Sequence, residues 1–176
     1  MKRSELEHLI RASGAIADDG ELIIIGSQSI LGQFPNAPST LCISMEMDVY
    51  PRNKPDRADL VDGSIGEGSF FHEQFGYYAQ GVGPETAVLP DGWEKRLVSI
   101  NNENTNGITG LCLEVHDLAI SKYVAGRPKD AEFTRELARH DITDKELLYK
   151  RLSETRMAKA TKSLVKSRID RDFRKS

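Results

Sequence analysis

The distribution of apolar residues predicts a mixed α/β body. Apolar positions recur at helical spacing within residues 4–12, which predicts a short amphipathic helix. Residues 21–25 are nearly all apolar and rich in β-branched side chains, as is typical of a strand buried on both faces. Residues 44–51 instead alternate apolar and polar positions, which predicts a strand with one polar face that ends at Pro51.

Weaker patterns predict the remaining elements. Strand-forming runs occupy residues 76–83, 93–100 and 108–115, and short helices are expected around 28–32, 57–61 and 70–74. Beyond residue 115 the strand character ends. We expect Asp117 to cap a helix that stops at Gly126, Pro128 to open the next, Thr143 to start a capping box, and Ser153 to cap a long basic helix.

These elements predict an α/β (α+β) fold, with a mixed sheet flanked by helices over residues 1–142 and a basic helical extension over 143–176. The length of 176 residues, with 39% hydrophobic and 29% charged residues, is typical of one globular domain. No apolar run approaches the roughly 20 residues that cross a bilayer, and no secretory signal pattern opens the sequence. Two cysteines cannot form a disulfide framework. We therefore expect a cytoplasmic protein without a membrane partner.

The net charge of −3 conceals an uneven distribution. Residues 145–176 contain 11 basic and 4 acidic residues, a balance of +7, so the first 144 residues carry −10. A basic tail of this kind is typical of contact with nucleic acid, with a membrane surface or with an acidic partner. It is equally typical of a solvated helix whose lysines keep the protein soluble.

Gly26 and Ser27 follow the buried strand at the expected start of a helix. The first N–H groups of a helix have no partner within it and can bind an anion. Gly26 would let a phosphate approach the backbone, and Ser27 adds a hydroxyl. Taken alone, a Gly-Ser turn after a strand usually binds nothing.

Glu46 and Asp48 lie on the polar face of the alternating strand, about 6.6 Å apart along the backbone. At that spacing both carboxylates can reach one hard cation, and Mg²⁺ prefers oxygen ligands. A single pair of this kind is more often a solvated strand face.

The combination of these two features resembles the DNA polymerase beta-like nucleotidyltransferase superfamily. The resemblance implies that Gly26 and Ser27 contact a nucleoside triphosphate and that Glu46 and Asp48 bind Mg²⁺ or Mn²⁺. Glu46 stands where that superfamily usually has Asp, and the segment between Ser27 and Glu46 is longer than usual. These two departures keep a catalytically inactive relative as an alternative.

The later segment 117–130, DLAISKYVAGRPKD, resembles a stretch of AbiEii-like abortive-infection nucleotidyltransferase toxins and of small bacterial nucleotidyltransferase-like proteins. The resemblance implies that Lys122 lies in the nucleotide pocket, that Arg127 is a further phosphate ligand, and that Asp130 completes the acidic site. Asp48, Lys122 and Asp130 are then the expected catalytic residues. A surface lysine and an ordinary charged turn are the structural alternative.

Three functions follow as hypotheses. The first is a metal-dependent nucleotidyltransferase that moves an NMP from an NTP to an acceptor hydroxyl. The acceptor would be RNA, such as a tRNA end, or a protein. Such an enzyme could act as a toxin that has an antitoxin-like partner. The second is a catalytically inactive nucleotide-sensing or interaction protein of the same fold. The third is a nucleic-acid-binding module that acts through the basic tail. The histidine spacings do not suit zinc, and the serines lack a His–Asp relay. An aromatic group is expected to form core and cleft wall, with base stacking by one tyrosine as the alternative: Phe70, Phe71, Phe75, Tyr77, Tyr78.

Overall fold

The computed structural model describes residues 1–174. In this part of the chain, five strands form one sheet: β1 (Glu21–Ile24), β2 (Glu46–Pro51), β3 (Tyr78–Gly81), β4 (Val98–Ile100) and β5 (Thr109–Cys112). Their order is β3-β2-β1-β5-β4. The strand β1 pairs antiparallel with β2 and parallel with β5, β2 pairs parallel with β3, and β4 pairs antiparallel with β5. The sheet is therefore mixed, as the sequence predicted.

Eight α-helices accompany the sheet in the described residues. They are α1 (Arg3–Ala17), α2 (Ile30–Gln33), α3 (Ala58–Ile65), α4 (Phe70–Phe75), α5 (Val115–Ala125), α6 (Pro128–Arg139), α7 (Lys145–Ser153) and α8 (Lys159–Asp172). The central strand β1 is flanked on both sides, and Leu22, Ile23 and Ile24 are buried, which confirms the prediction of a strand buried on both faces. The helix α1 is longer than the pattern of residues 4–12 predicted.

The C-terminal helices pack on α5. This helix is buried over most of its length, and α7 and α8 both contact it. Four apolar side chains from α7 and α8 join the same hydrophobic core as the strands: Leu148, Leu152, Val165 and Ile169. The hydrophobic core thus continues across residue 142. The division of the chain into two parts at that point stays a prediction.

Three predicted helix caps are wrong. The helix α5 is capped by Glu114, whose side chain accepts from the backbone N–H groups of His116 and Asp117. Asp117 itself is fully buried, and its carboxylate accepts from the guanidinium of Arg96 at 2.7 and 2.9 Å. Burial among cations therefore takes Asp117 away from the cap.

The other two wrong caps lie in the C-terminal section. The cap of α7 is Asp144, whose carboxylate accepts from the N–H of Leu147, whereas Thr143 is buried. The helix α8 starts at Lys159 after Ala158 and has no side-chain cap, so Ser153 ends α7 instead of opening the basic helix.

The predicted strand over residues 93–100 is wrong in its first half. Gly92 has a positive φ of 78°, and residues Trp93–Arg96 form a 3₁₀ turn before β4 starts at Val98. The turn places Arg96 against Asp117. The long-range ion pair and the glycine turn override the local strand preference, which only the folded chain reveals.

Candidate active site

The predicted site residues come together in one cleft. Its volume is about 400 Å³, and its walls come from the turn after β1, from the segment 40–44, from β2 and β3, from α5 and from the start of α6. Six of the seven predicted residues line it: Ser27, Glu46, Asp48, Lys122, Arg127 and Asp130. The seventh, Gly26, lies directly behind Asp48. Residues separated by about 100 positions in the chain therefore share one cavity.

Gly26 and Asp48 join the two early motifs. The N–H of Ile25 donates to the carbonyl oxygen of Asp48 at 3.1 Å, so the end of β1 stays paired with β2. A Cβ atom on Gly26 would overlap Oδ2 of Asp48 and lie 2.9 Å from its Cγ. The φ of Gly26 is −79°, which any residue can adopt. The glycine is needed because the carboxylate packs on the backbone.

Glu46 and Asp48 form a like-charged pair on β2. Burial and the neighbouring carboxyl of Glu46 together raise the pKa of Asp48 to about 7, against the opposing charges of Lys122 and Lys129. The phenol of Tyr78 donates to Oε2 of Glu46 at 3.1 Å. Burial and the charge of Glu46 raise the pKa of Tyr78 to about 12, so the phenol remains a donor at neutral pH. A bound cation would relieve the repulsion between these two adjacent carboxylates.

Lys122, Arg127 and Asp130 form the cationic wall. The guanidinium of Arg127 donates to both oxygens of Asp130, at 2.7 and 3.2 Å, and Nζ of Lys122 lies 3.7 Å from Oδ1. Burial raises the pKa of Asp130, but these bonds and charges outweigh burial and leave the pKa below its ordinary value. Burial lowers the pKa of Lys122, while Asp130 and Asp48 oppose that change. Asp130 therefore holds the cationic side chains of Lys122 and Arg127 at the cleft.

The donor set suits a cation that is completed by its substrate. Across residues 1–174, no group of three or more His, Cys, Asp or Glu side chains is placed to hold a metal ion. Mg²⁺ commonly binds to one or two carboxylates and takes its other ligands from water and substrate phosphates. Glu46 and Asp48, half-buried oxygen donors on one cleft wall, fit that pattern.

Several cleft residues escaped the sequence analysis. Lys129 and Gln28 line the cleft beside the predicted positions, and adjacency to Asp130 and Ser27 was the only signal for them. Gln80, which also lines the cleft, comes from β3, where the register pairs it with Asp48. That register follows from a parallel pairing that no local pattern indicates.

The aromatic group divides between two sites. Phe71, Phe75 and Tyr77 surround His8, with ring centroids between 4.8 and 5.9 Å from its imidazole. Tyr78 alone of the group bonds to the acidic pair. Phe70 is 81% exposed and Phe75 is 46% exposed, so their assignment to core or cleft wall is wrong: the first and last positions of α4 face solvent.

The basic helix α8 lies beside the cleft wall. The guanidinium of Arg168 donates to the carbonyl oxygen of Tyr123 at 2.6 Å and crowds the space next to Gly126. Gly126 directly precedes Arg127, and its positive φ of 62° ends α5. Lys159 and Lys166 are exposed on α8.

Among the helices that the structure describes, none is both long and apolar enough to traverse a bilayer.

A family model described as a nucleotidyltransferase of unknown function (DUF6036) matches residues 4–174. No curated protein and no solved structure matches the chain. The matched range takes in every cleft residue and, apart from Arg3 at the start of α1, all eight described helices. The chain therefore belongs to the nucleotidyltransferase family DUF6036.

Proposed function

We propose that this protein is a metal-dependent nucleotidyltransferase that moves an NMP from an NTP to an acceptor hydroxyl. One observation carries the proposal: the carboxylate of Asp48 packs on Gly26 while Ser27, Glu46, Lys122 and Arg127 line the same cleft. Phosphate-binding groups and a pair of cation ligands within one cavity are what phosphoryl transfer needs. Family membership supports the same reaction class.

The triphosphate is bound by Ser27 and by two cationic side chains of the cleft, Lys122 and Arg127. Ser27 offers a hydroxyl at the start of a helical turn, and the side chain of Lys122 is a mostly buried cation. Arg127 is half exposed and presents a planar guanidinium, which suits phosphate oxygens. In a cleft of this size, their charges offset that of the triphosphate where water is partly excluded.

Mg²⁺ or Mn²⁺ is the proposed cofactor, with Glu46 and Asp48 as its protein ligands. When bound, the cation would polarise the phosphoryl oxygens and stabilise the charge that develops on the leaving pyrophosphate. In the reaction, the acceptor oxygen bonds to the α-phosphorus as the bond to the β-phosphate oxygen breaks.

The two aspartates of the cleft take different roles. Asp48 is half-buried beside Glu46, and we assign it as a ligand of the cation. The proton of the acceptor hydroxyl passes to water. Asp130 is less suited to hold the cation, since Arg127 and Lys122 occupy its oxygens and lower its pKa. We therefore assign Asp130 as the residue that positions these two cationic side chains.

An RNA hydroxyl is the acceptor that we propose first. Arg168 of α8 contacts the turn before Arg127, and Lys159 and Lys166 are exposed on the same helix, so α8 carries positive charge that is open to solvent. A polyanion would gain from that charge. A protein acceptor, a toxin role with an antitoxin-like partner, and a cytoplasmic location stay predictions from the sequence. A nucleotide-sensing protein without turnover is the alternative function, because Glu46 replaces the usual Asp.

The test is incorporation of label. The purified protein is incubated with each α-labelled NTP, MgCl₂ or MnCl₂, and either total RNA or total protein as acceptor. Wild type should label one acceptor class, and Asp48→Asn should lose the activity by about 10³-fold or more. Asp59→Asn is the matched control, because this exposed carboxylate lies on α3 outside the cleft. NTP binding without transfer would favour the sensing function, and neither binding nor transfer would refute both.

A further inference from the structure

We propose that Tyr78 is a positioning residue for Glu46: its phenol O–H holds one carboxylate oxygen so that the other faces the divalent cation. This inference rests on the cation site of the proposed function. The side chain concerned comes from an edge strand that no cleft motif includes.

The sheet register brings the two side chains together. Glu46 of β2 pairs with Tyr78 of β3, and Asp48 pairs with Gln80. Paired residues of neighbouring strands point to the same face of a sheet. The phenol O–H of Tyr78 donates to Oε2 of Glu46 at 3.1 Å. One oxygen of Glu46 is thus held by the protein, and the second can serve the cation.

Glu46 needs such a partner more than Asp48 does. The carboxylate of Asp48 packs on the backbone at Gly26, which limits where it can move. Glu46 has one more methylene and one more rotatable bond, and it lies half-buried at the first position of β2. Ordering a side chain of that length costs conformational entropy whenever a cation binds. A fixed hydrogen bond meets part of that cost before the cation arrives.

The phenol ring is itself held in place. The ring of His72 packs against it with centroids 4.6 Å apart, and Nδ1 of His72 accepts from the N–H of Gly68 at 3.1 Å. The adjacent Tyr77 points the other way, and its hydroxyl bonds to Nδ1 of His8 at 2.9 Å. A shift of register by one residue would exchange the two tyrosines, so the contact with Glu46 is specific to Tyr78.

The experiment compares two tyrosine variants. Binding of MnCl₂ alone is titrated by electron paramagnetic resonance for wild type, Tyr78→Phe and Tyr77→Phe. Tyr78→Phe keeps the ring but removes the donor, and its affinity for Mn²⁺ should fall about tenfold, as is usual when a hydrogen bond to a metal ligand is lost. Tyr77→Phe removes an equivalent hydroxyl outside the cleft and should bind Mn²⁺ like wild type. Thermal unfolding without metal checks that each variant folds.

A second readout separates positioning from general damage. In the transfer assay, saturating Mn²⁺ should restore the turnover of Tyr78→Phe, since only the apparent metal affinity is lowered. Equal Mn²⁺ affinity in wild type and Tyr78→Phe would overturn the role of Tyr78 while leaving the cation site intact. A turnover defect that saturating Mn²⁺ does not repair would also overturn it. No Mn²⁺ binding by wild type would overturn the cation site and this inference together.

Discussion

The carboxylate of Asp48 lies so close to the Cα of Gly26 that no side chain fits between them. This contact joins the end of β1 to the acidic strand β2, and it places the Gly-Ser turn beside the proposed cation ligands. This position requires glycine because the neighbouring carboxylate leaves no room for a side chain. Its backbone angles are ordinary and would accept any residue. Two motifs that are weak when separate thus form one structural unit.

Gly26→Ala should remove activity without unfolding the protein. The new Cβ would overlap Oδ2 of Asp48 and force the carboxylate away from the cleft. Overpacking of this kind costs about 1–3 kcal/mol of stability. We expect transfer and Mn²⁺ binding to fall at least tenfold, measured by label incorporation and metal titration.

The matched control for that change is Gly63→Ala. Gly63 lies inside α3, and a Cβ there would meet no atom within 4 Å. Alanine is the better helix former, so this variant should gain about 0.5–1 kcal/mol and keep full activity. If Gly26→Ala were as active as Gly63→Ala, the close approach of Gly26 and Asp48 would have no functional importance.

Asp48→Asn should raise the stability of the metal-free protein above pH 7. Burial and Glu46 raise the pKa of Asp48 to about 7, so between about pH 4 and pH 7 the native state holds a proton that the unfolded state has lost. Stability therefore falls as the pH rises through this window. The variant lacks this titration, and its melting temperature should exceed that of wild type by several degrees at pH 8.

Added MgCl₂ should narrow the difference in melting temperature between Asp48→Asn and wild type at pH 8. The cation stabilises the ionised pair in wild type, whereas Asp48→Asn offers it one carboxylate ligand fewer. Melting curves at pH 5 and pH 8, with and without the metal, measure both effects. A wild type that is more stable than Asp48→Asn at pH 8 without metal would contradict the strained acidic pair.

Asp130→Asn should weaken nucleotide binding more than it changes turnover. The variant removes the charge that holds Arg127 at 2.7 Å and Lys122 at 3.7 Å. Both cations would then lose their fixed positions, and we expect affinity for a non-hydrolysable NTP to fall about tenfold by calorimetry. Glu132→Gln is the control, because it removes a charge from the same cleft without touching this pair. A large loss of turnover at saturating NTP would instead assign Asp130 as a catalytic base.

Asp19 should control the acid stability of the fold. Its buried carboxylate accepts from the backbone N–H groups of Glu21, Asn53 and Lys54, at 2.8–3.1 Å, and from the side-chain amide of Asn53. Burial raises the pKa of Asp19, but these bonds outweigh it and the net pKa is lowered. The stabilisation is present above the unfolded pKa of about 3.9 and is lost as the pH falls through the folded value.

Asp19→Asn should therefore cost about 1–3 kcal/mol at pH 7 and much less near pH 2. Urea unfolding at the two pH values measures the difference. The exposed Asp56, at the start of a 3₁₀ turn, provides the control variant Asp56→Asn, which should behave like wild type at both. An equal loss at both pH values from Asp19→Asn would show that its charge is unimportant.

Local patterns predicted the elements well where burial and periodicity agree. The strand β1, the alternating β2 and the stop at Gly126 before Pro128 all follow from short stretches of sequence. The wrong assignments share a different cause. The turn at Trp93–Arg96 and the cap of α5 depend on the ion pair of Arg96 with Asp117, whose partners are 21 residues apart.

The same division holds for the cleft. Two short motifs identified four of its residues from the sequence alone: the Gly-Ser turn of Gly26 and Ser27, and the acidic pair of Glu46 and Asp48. The contact of Tyr78 with Glu46 could not be found in this way, because it is set by the parallel register of β2 and β3. Register is a property of the assembled sheet, fixed by which face packs on the core.

The central claim is that Glu46 and Asp48 share a divalent cation next to Ser27. Its most direct test is a crystal structure with MnCl₂ and a non-hydrolysable NTP, in which the anomalous signal locates the manganese. We expect a peak bound by both carboxylates and by triphosphate oxygens, with Ser27, Lys122 and Arg127 on the phosphates. A fully occupied nucleotide whose manganese lies away from Glu46 and Asp48 would contradict it.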